Sequence, residues 1–484
     1  PRSATPKSTI KTVETKMKNS PRLGFTLSHS VCTRIARLLI GCISAAGISS
    51  LSHAGNPIIS HIYTADPAAR VFNGRVYVIT SHDQDNATDY SSLVDYNLIS
   101  SDDMVNWQDH GIVFNVRKDT QWAKLAYAPD WVFKDNKYFL FFPDGADAIG
   151  VAVADKPEGP YKDYLGKPLI DRKTPNADVK WLFDPGVFVD DDGRAYVYFG
   201  GGGGPGNARV IEVSGDFKSV KGPAITIEPP HFFEAPYVHK RNGIYYYSYS
   251  TDPDSKIRID YMTSDKPTSG FKHRGTVIPN PWEDNGNNNH QSIIQWGDQW
   301  YIFYHNRAIA NERGKSDYQR SINVDLLSYN ADGSIKATAS RQGVPQLKHF
   351  NPYTLVQAET MEKESGGIEV ERLGEALAVA FTDNSWIKLA KVDFGAGAEA
   401  IELSVAAAAD STIEVILDDL KNAPAAVIPV KATGDLAKFA TQAVKLTGLK
   451  GVHDVYYRVK GRVNLDTYKY VPATASTPVS QKAK

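Results

Sequence analysis

The chain has 484 residues, and its 54 Lys and Arg balance 55 Asp and Glu, so the net charge is close to zero. No basic run stands beyond the first 54 residues, which argues against nucleic acid or an anionic membrane as a partner. Aromatic residues make up 11% of the chain, with 25 Tyr and 8 Trp, a richness that suits a β-rich core and sugar stacking equally well.

Taken in order, the chain opens on a segment unlike the rest. Met17 is the first methionine, and from it the sequence reads as a secretory signal peptide. Lys18, Arg22, Arg34 and Arg37 form the basic flank, Leu38–Leu51 the apolar core, and Ser52-His53-Ala54 a cleavage site. An apolar core of about 14 residues is too short for a membrane anchor, which takes roughly 20. Cleavage leaves about 430 residues, enough for one large domain and a smaller one. It also removes Cys32 and Cys42, the only cysteines, so no disulfide, thiolate nucleophile or Zn–thiolate site is expected in the exported protein. The expected location is secreted or periplasmic.

Beyond Ala54 one sentence is written five times. The copies are Asp66-Pro-Ala-Ala-Arg-Val-Phe-Asn73-Gly74-Arg-Val-Tyr-Val, Ala128-Pro-Asp130-Trp-Val-Phe-Lys-Asp135-Asn136-Lys-Tyr-Phe, Asp184-Pro-Gly-Val-Phe-Val-Asp-Asp-Asp-Gly193-Arg-Ala-Tyr-Val-Tyr-Phe, Glu234-Ala-Pro-Tyr-Val-His-Lys-Arg-Asn242-Gly243-Ile-Tyr-Tyr-Tyr, and His290-Gln-Ser-Ile-Ile-Gln-Trp-Gly297-Asp298-Gln-Trp-Tyr-Ile-Phe-Tyr. Each is a polar lead, an apolar run, a turn of Gly, Asn or Asp, and a second apolar run. That pattern predicts two strands joined by a tight hairpin. The polar leads are spaced by 64, 54, 50 and 56 residues. Weaker echoes at Ser100–Trp107, Ala154–Tyr161 and Thr263–Phe271 read as outer strands of the same unit. A unit of roughly 50 residues with about four short strands predicts a propeller blade. The expected architecture is therefore all-β, a five-bladed β-propeller over residues 55–346, with helical periodicity nearly absent.

Phase carries the functional argument. Asp66, Asp184, Glu234 and His290 stand seven or eight residues before their turns, and equivalent positions of successive blades meet around the propeller axis. These four side chains are expected at one axial mouth, with Asp130, only five residues before its turn, offset from them. Three carboxylates together repel one another and raise the pKa of at least one. No structural need explains that arrangement, so it marks a site. With no thiol, Ser–His–Asp elbow, P-loop or Rossmann glycine pattern, the remaining chemistry is carboxylate acid/base work, and an aromatic cleft points to glycoside hydrolysis.

Thr64-Ala-Asp66-Pro, Phe183-Asp184-Pro-Gly-Val-Phe-Val-Asp-Asp-Asp-Gly, Phe233-Glu234-Ala-Pro-Tyr-Val-His-Lys-Arg-Asn-Gly and His290-Gln-Ser-Ile-Ile resemble glycoside hydrolase family 43. The resemblance covers residues 56–307 and implies an inverting enzyme on a five-bladed propeller, acting on arabinofuranosyl and xylosyl linkages. It implies Asp66 as general base, Glu234 as general acid, and Asp184 as the group that raises the pKa of Glu234 and orients it. Asp83, Phe233 and Arg307 are the substrate-contacting residues it implies. His290 faces the axial channel, either as a hydrogen-bonding histidine or as a residue that helps hold a hydrated calcium.

From Asn351 alternating strands continue for about 120 residues, the size of a β-sandwich. Asn351–Val471 resembles a family 6 carbohydrate-binding module, and Gln357, Glu359 and Asp466 match positions around that module's structural calcium. The assigned range is residues 347–471, with 472–484 as a disordered tail. The module's sugar-stacking aromatics are represented by Phe381 and Phe439, Leu436 stands where Trp is common, and Asn464 is retained. That leaves open either sugar binding or packing against the propeller as its role.

The leading expectation is an exported enzyme removing α-L-arabinofuranosyl units from arabinoxylan or arabinan, with no cofactor in the chemistry. The alternative on the same machinery is a β-xylosidase, or a dual xylosidase/arabinofuranosidase. A propeller that only binds carbohydrate is the remote third.

Overall fold

The computed structural model describes residues 55–253, 257–284 and 286–473. The expected leader, with Cys32 and Cys42, and the tail from residue 474 onward lie outside the described residues. Within them the fold is all-β, and the two α-helices, Val116–Asp119 and Ala308–Arg313, are short.

Each hairpin read from the sequence forms, because its turn residues accept positive φ. β1 (Tyr63–Phe72) meets β2 (Arg75–Asp83) through Asn73 and Gly74, at φ 50° and 74°. Two consecutive positive φ values give the mirror-image turn whose twist matches that of the flanking strands. With β3 (Asp95–Ser101) and β4 (Trp107–Asn115) the pair makes an antiparallel sheet. The second sheet is β5 (Asp130–Lys134), β6 (Lys137–Asp144), β7 (Ala148–Ala154), β8 (Lys162–Asp163) and β9 (Ile170–Asp171). The third is β10 (Gly186–Val189), β11 (Ala195–Phe199), β12 (Ala208–Val213) and β13 (Ile225–Ile227). The fourth is β14 (Phe232–Arg241), β15 (Ile244–Thr251), β16 (Arg258–Ser264) and β17 (Lys272–Ile278). The fifth is β18 (Gln291–Trp296), β19 (Gln299–Asn306), β20 (Ser321–Tyr329) and β21 (Ile335–Ala337).

The first strands of the five sheets touch in cycle: β1 with β5, β5 with β10, β10 with β14, β14 with β18, and β18 with β1. Apolar residues fill the gaps between neighbouring sheets, as where Phe141, Ile149, Val197 and Phe199 pack together. Closest approach needs a missing side chain. A Cβ on Gly186 would stand 2.2 Å from the Pro236 oxygen.

One largely enclosed cation links all five first strands. Arg70, on β1, donates from Nη2 to both Asp130 oxygens at 2.6 and 2.7 Å and from Nη1 to the Tyr237 hydroxyl at 2.8 Å. Its Nε donates to the Trp131 oxygen at 2.9 Å. Asp130 also accepts from Val187 N at 2.7 Å, and the Tyr237 hydroxyl donates to the Ile293 oxygen at 3.0 Å. Asp130 is indeed apart from the other polar leads: its carboxylate is spent on this network.

Two further sheets complete the described chain. One has the order β25 (Ile368–Leu373), β26 (Ala376–Phe381), β33 (Val463–Pro472), β28 (Ala398–Ala406), β31 (Ala440–Lys445), with β22 (Val356–Gln357) on β33. The other runs β24 (Lys363–Glu364), β27 (Trp386–Asp393), β32 (Val452–Lys460), β29 (Ser411–Leu417), β30 (Ala426–Val430). Ile387, Leu389, Val455, Leu465 and Tyr468 belong to the single apolar core shared by these sheets. Pro472, assigned from sequence to the tail, closes β33 opposite Ala398.

This part does not hang free. β23 (Thr360–Met361) pairs with the edge of β4, Thr360 opposite Gln108 and Met361 opposite Trp107, and so becomes a fifth strand of the first sheet. Buried Asn106 completes the seam: its Oδ1 accepts from Ala390 N at 2.8 Å and its Nδ2 donates to the Ala390 oxygen at 3.1 Å.

Replacing Arg70 by Met leaves the Asp130 carboxylate buried without its cation, a loss of about 3–5 kcal/mol. Equilibrium urea unfolding of Arg70→Met is expected to show that loss; an unchanged midpoint would remove Arg70 from its central place.

Candidate active site

The three carboxylates expected to converge line one pocket of about 340 Å³, together with His290. Each is placed by an irregularity in its strand. Asp66 has φ 51° and lies within a bulge of β1 between Ala65 and Ala68. Asp184 has φ 51° and sits just before β10. Glu234 lies between two register shifts of β14 and precedes Ala235 at φ 58°. Positive φ is uncommon outside glycine and clusters at functional sites, where it turns a side chain out of the pleat. Proline follows each of these positive-φ residues, at 67, 185 and 236.

The surroundings treat the three acids differently. Burial pushes the Asp66 carboxyl up. Arg320, whose Nη1 donates to Asp66 Oδ1 at 2.8 Å, overcomes that and holds it well below the usual range. Burial, then the charge of Asp66, pushes Glu234 up to about 8. Burial, then Glu234 and Asp66, also pushes Asp184 well up, while the Ala235 N–H donated to its Oδ2 at 3.0 Å works the other way. The pocket therefore holds an ionised carboxylate facing a pair that retains a proton at neutral pH.

Phe233, expected to touch substrate, lines the pocket, edge-on to Trp181 at 5.8 Å. Trp181 in turn meets Phe183 at 5.5 Å, giving an aromatic wall beside the acid. Gly201 keeps that wall open: a Cβ there would lie 2.3 Å from Phe183 and 3.2 Å from Glu234 Cβ.

Asp83 and Arg307 stand elsewhere than expected. Asp83 is buried outside the pocket lining, and its oxygens accept from Arg320 N, Nε and Nη2 at 2.8, 2.9 and 2.8 Å. It holds the arginine that holds Asp66, so its carboxylate is already engaged. Arg307 is buried too, donating to Asp284 at 2.8 Å and to the Asp317 oxygen at 2.9 Å. The arginine that does line the pocket is Arg320. Sequence reading passed over it because it belongs to no hairpin repeat and its partner Asp66 is 254 residues away. Tyr90 and Asn288 were missed for the same reason; both sit in connections between strands.

His290 Nδ1 lies 3.8 Å from both Asp66 Oδ1 and Asp184 Oδ2, and burial lowers the imidazole to about 4, so it is neutral above that. Among the described residues no group of three or more His, Cys, Asp or Glu side chains is arranged to hold a metal ion. The positive charge beside Asp66 is Arg320. In the C-terminal sandwich Glu359 is buried, and its Oε2 has no hydrogen-bond partner among the described residues. Burial, with Asp109 and Asp466 nearby, pushes that carboxyl up to about 8. An orphaned buried carboxylate oxygen near a second carboxylate fits a hard cation. At the expected sugar-stacking site Phe381 is buried in the core, and the Asn464 side chain donates to the Leu436 oxygen at 2.9 Å.

Comparison with known proteins agrees with this geometry. The family model "Glycosyl hydrolases family 43" matches residues 54–335, and "Carbohydrate binding module (family 6)" matches residues 357–471. The arabinoxylan arabinofuranohydrolase of Paenibacillus polymyxa is 35% identical over 88% of this chain and 76% of its own. That of Bacillus subtilis (strain 168) is 36% identical over 89% of this chain and 96% of its own. The crystal structure of a glycoside hydrolase family 43 arabinoxylan arabinofuranohydrolase from Bacillus subtilis, in complex with cellotetraose, superposes with a TM-score of 0.82 at 35% identity, covering 87% of this chain and 99% of that one. With the carboxylate pocket and these matches together, the chain belongs to glycosyl hydrolases family 43 and carries a family 6 carbohydrate-binding module at its C-terminal end.

Proposed function

We propose that this glycoside hydrolase removes α-L-arabinofuranosyl units from arabinoxylan or arabinan in one displacement, with inversion. The observation that carries the reading is the opposed treatment of Asp66 and Glu234 within one pocket; the names of the relatives supply the sugar. Asp66, kept ionised by Arg320, takes a proton from water as the water oxygen attacks the anomeric carbon. Glu234 gives its proton to the departing glycosidic oxygen as the bond to that carbon breaks. Water is consumed, and the two carboxyls end in exchanged protonation states. Asp184 repels charge on Glu234, and its bond from Ala235 N favours the negative charge on Asp184 itself, leaving the pair's proton to Glu234. The sugar stacks on the Trp181–Phe233 wall.

The scaffold we propose is a five-bladed propeller over residues 55–346, supported by five antiparallel sheets whose first strands touch in a closed cycle. Residues 347–471 are the module. We further propose export, on the leader motif from Met17, and a structural cation at Gln357, Glu359 and Asp466, on the orphaned Glu359 oxygen. Bound there, the cation supplies charge balance to the module and takes no part in hydrolysis.

Side-by-side assays on p-nitrophenyl α-L-arabinofuranoside and β-D-xyloside, with NMR of the first-formed anomer on arabinoxylan, test the reading. Arabinose release in the inverted anomer is expected; release of xylose alone, or retention, overturns it. The pH profile has a predicted sign as well. As pH rises through about 8 Glu234 loses its proton, so kcat/KM is expected to fall toward tenfold per pH unit above that point. Asp66 stays ionised down through the mildly acidic range, so no loss of base is expected there. The cation is checked by melting: calcium at a hundred times its Kd adds about 2.7 kcal/mol to stability over chelator, and Glu359→Gln is expected to abolish the difference.

A further inference from the structure

Arg307 and Asn288 make a connection that substrate binding does not require. Asn288 Oδ1 accepts from Arg307 Nη2 at 2.7 Å and from the Tyr90 hydroxyl at 3.4 Å. Its main-chain oxygen accepts from Arg307 Nη1 at 3.3 Å and from His305 Nε2 at 3.2 Å. Two donors at Oδ1 fix which end of the amide is oxygen. The Nδ2 end is therefore the one left for Glu234, with which Asn288 lines the same pocket.

His305 completes the tie. Because Nε2 donates to Asn288, Nδ1 is an acceptor, and it receives the Asp66 N–H at 3.2 Å. One fully buried imidazole thus spans the main chain of the base and that of the residue holding the acid. Arg307 is equally enclosed. Nε is bound to the Asp317 oxygen, Nη1 to Asp284 as well as to Asn288, and Nη2 to Asn288 Oδ1, and Arg307 is not among the residues that line the pocket.

We infer that Asn288 orients the Glu234 carboxyl toward the departing oxygen, and that Arg307 is a positioning residue acting on the reaction through Asn288 rather than by contact with substrate. This rests on Glu234 being the acid. Without Arg307, Oδ1 loses its strongest donor, and the amide is free to turn its oxygen toward Glu234. A turned amide accepts the acid's proton instead of leaving it for the glycosidic oxygen. Glycosides whose leaving groups need protonation suffer, and those that depart unaided do not.

The test measures kcat and KM on arabinoxylan and on aryl α-L-arabinofuranosides of graded leaving-group acidity. The variants are Asn288→Ala, Arg307→Met, the double variant, and Glu234→Ala as reference. Both single variants are expected to lower kcat on poor leaving groups about tenfold or more, with KM nearly unchanged and the loss shrinking on 2,4-dinitrophenolate. Because Arg307 acts through Asn288, the double variant is expected to be no worse than Asn288→Ala. A rise in KM with a loss uniform across leaving groups, or multiplicative losses in the double variant, overturns the inference while leaving Glu234 as the acid. A uniform loss in Glu234→Ala itself overturns both. Asn288 is only half-buried, so Asn288→Ala alone decides between orientation and contact if Arg307→Met fails to fold.

Discussion

The Arg70–Asp130 pair is the interaction on which the rest of the molecule depends. Through Asp130, Trp131, Val187, Tyr237 and Ile293 it reaches the first strand of every one of the five sheets. A buried ion pair is a poor source of net stability, since desolvation offsets most of its attraction. Its value here is geometric. Each donor and acceptor has one direction, so each strand is fixed in height and rotation against the others, which apolar packing alone would not specify. The carboxylate pocket depends on that registration, because its members arrive on different strands.

Within the pocket the deciding element is a second arginine. Three buried carboxyls brought together would all hold on to protons. Arg320, fixed by Asp83 on one side, gives its remaining Nη1 to Asp66 alone and so divides otherwise similar acids into one ionised and two that are not both ionised. The division is electrostatic in origin, and it works because the three carboxyls are buried: the same charges in water would be screened to a small effect. In the proposed mechanism Asp184, at the head of the third hairpin, is the neighbour that keeps Glu234 protonated.

The C-terminal module is joined to the first sheet by strand addition and by the Asn106–Ala390 pair of hydrogen bonds. A sheet edge left open invites pairing with other chains, and covering it removes that liability. Glu359 lies at this same seam. Its main-chain oxygen accepts from Asp109 N at 3.2 Å, and Gln108 donates to its Oε1 at 3.3 Å. The carboxylate with the unpartnered oxygen therefore lies between the module and the larger part of the chain.

Local chemistry was legible in the sequence, and remote pairing was not. Asn73-Gly74 and its counterparts announced the hairpins, since those turns need residues that accept positive φ. Repetition of the polar lead announced that Asp66, Asp184 and Glu234 share a pocket, and the spacing of Asp130 set it apart. The sequence could not show which arginine holds Asp66. Arg307 sits in a recognisable run yet turns inward to Asn288, while Arg320 sits in an unremarked one and reaches Asp66. Nor could it show that Asp83 is spent on Arg320, or that Phe381 is core. By itself the sequence determined strands, turns and the phase of the acids, because these are set by neighbours within a few residues. The tertiary structure alone decided which acid is ionised and which cation does it, because a pKa is set by burial and by charges that lie hundreds of residues apart until the sheets close.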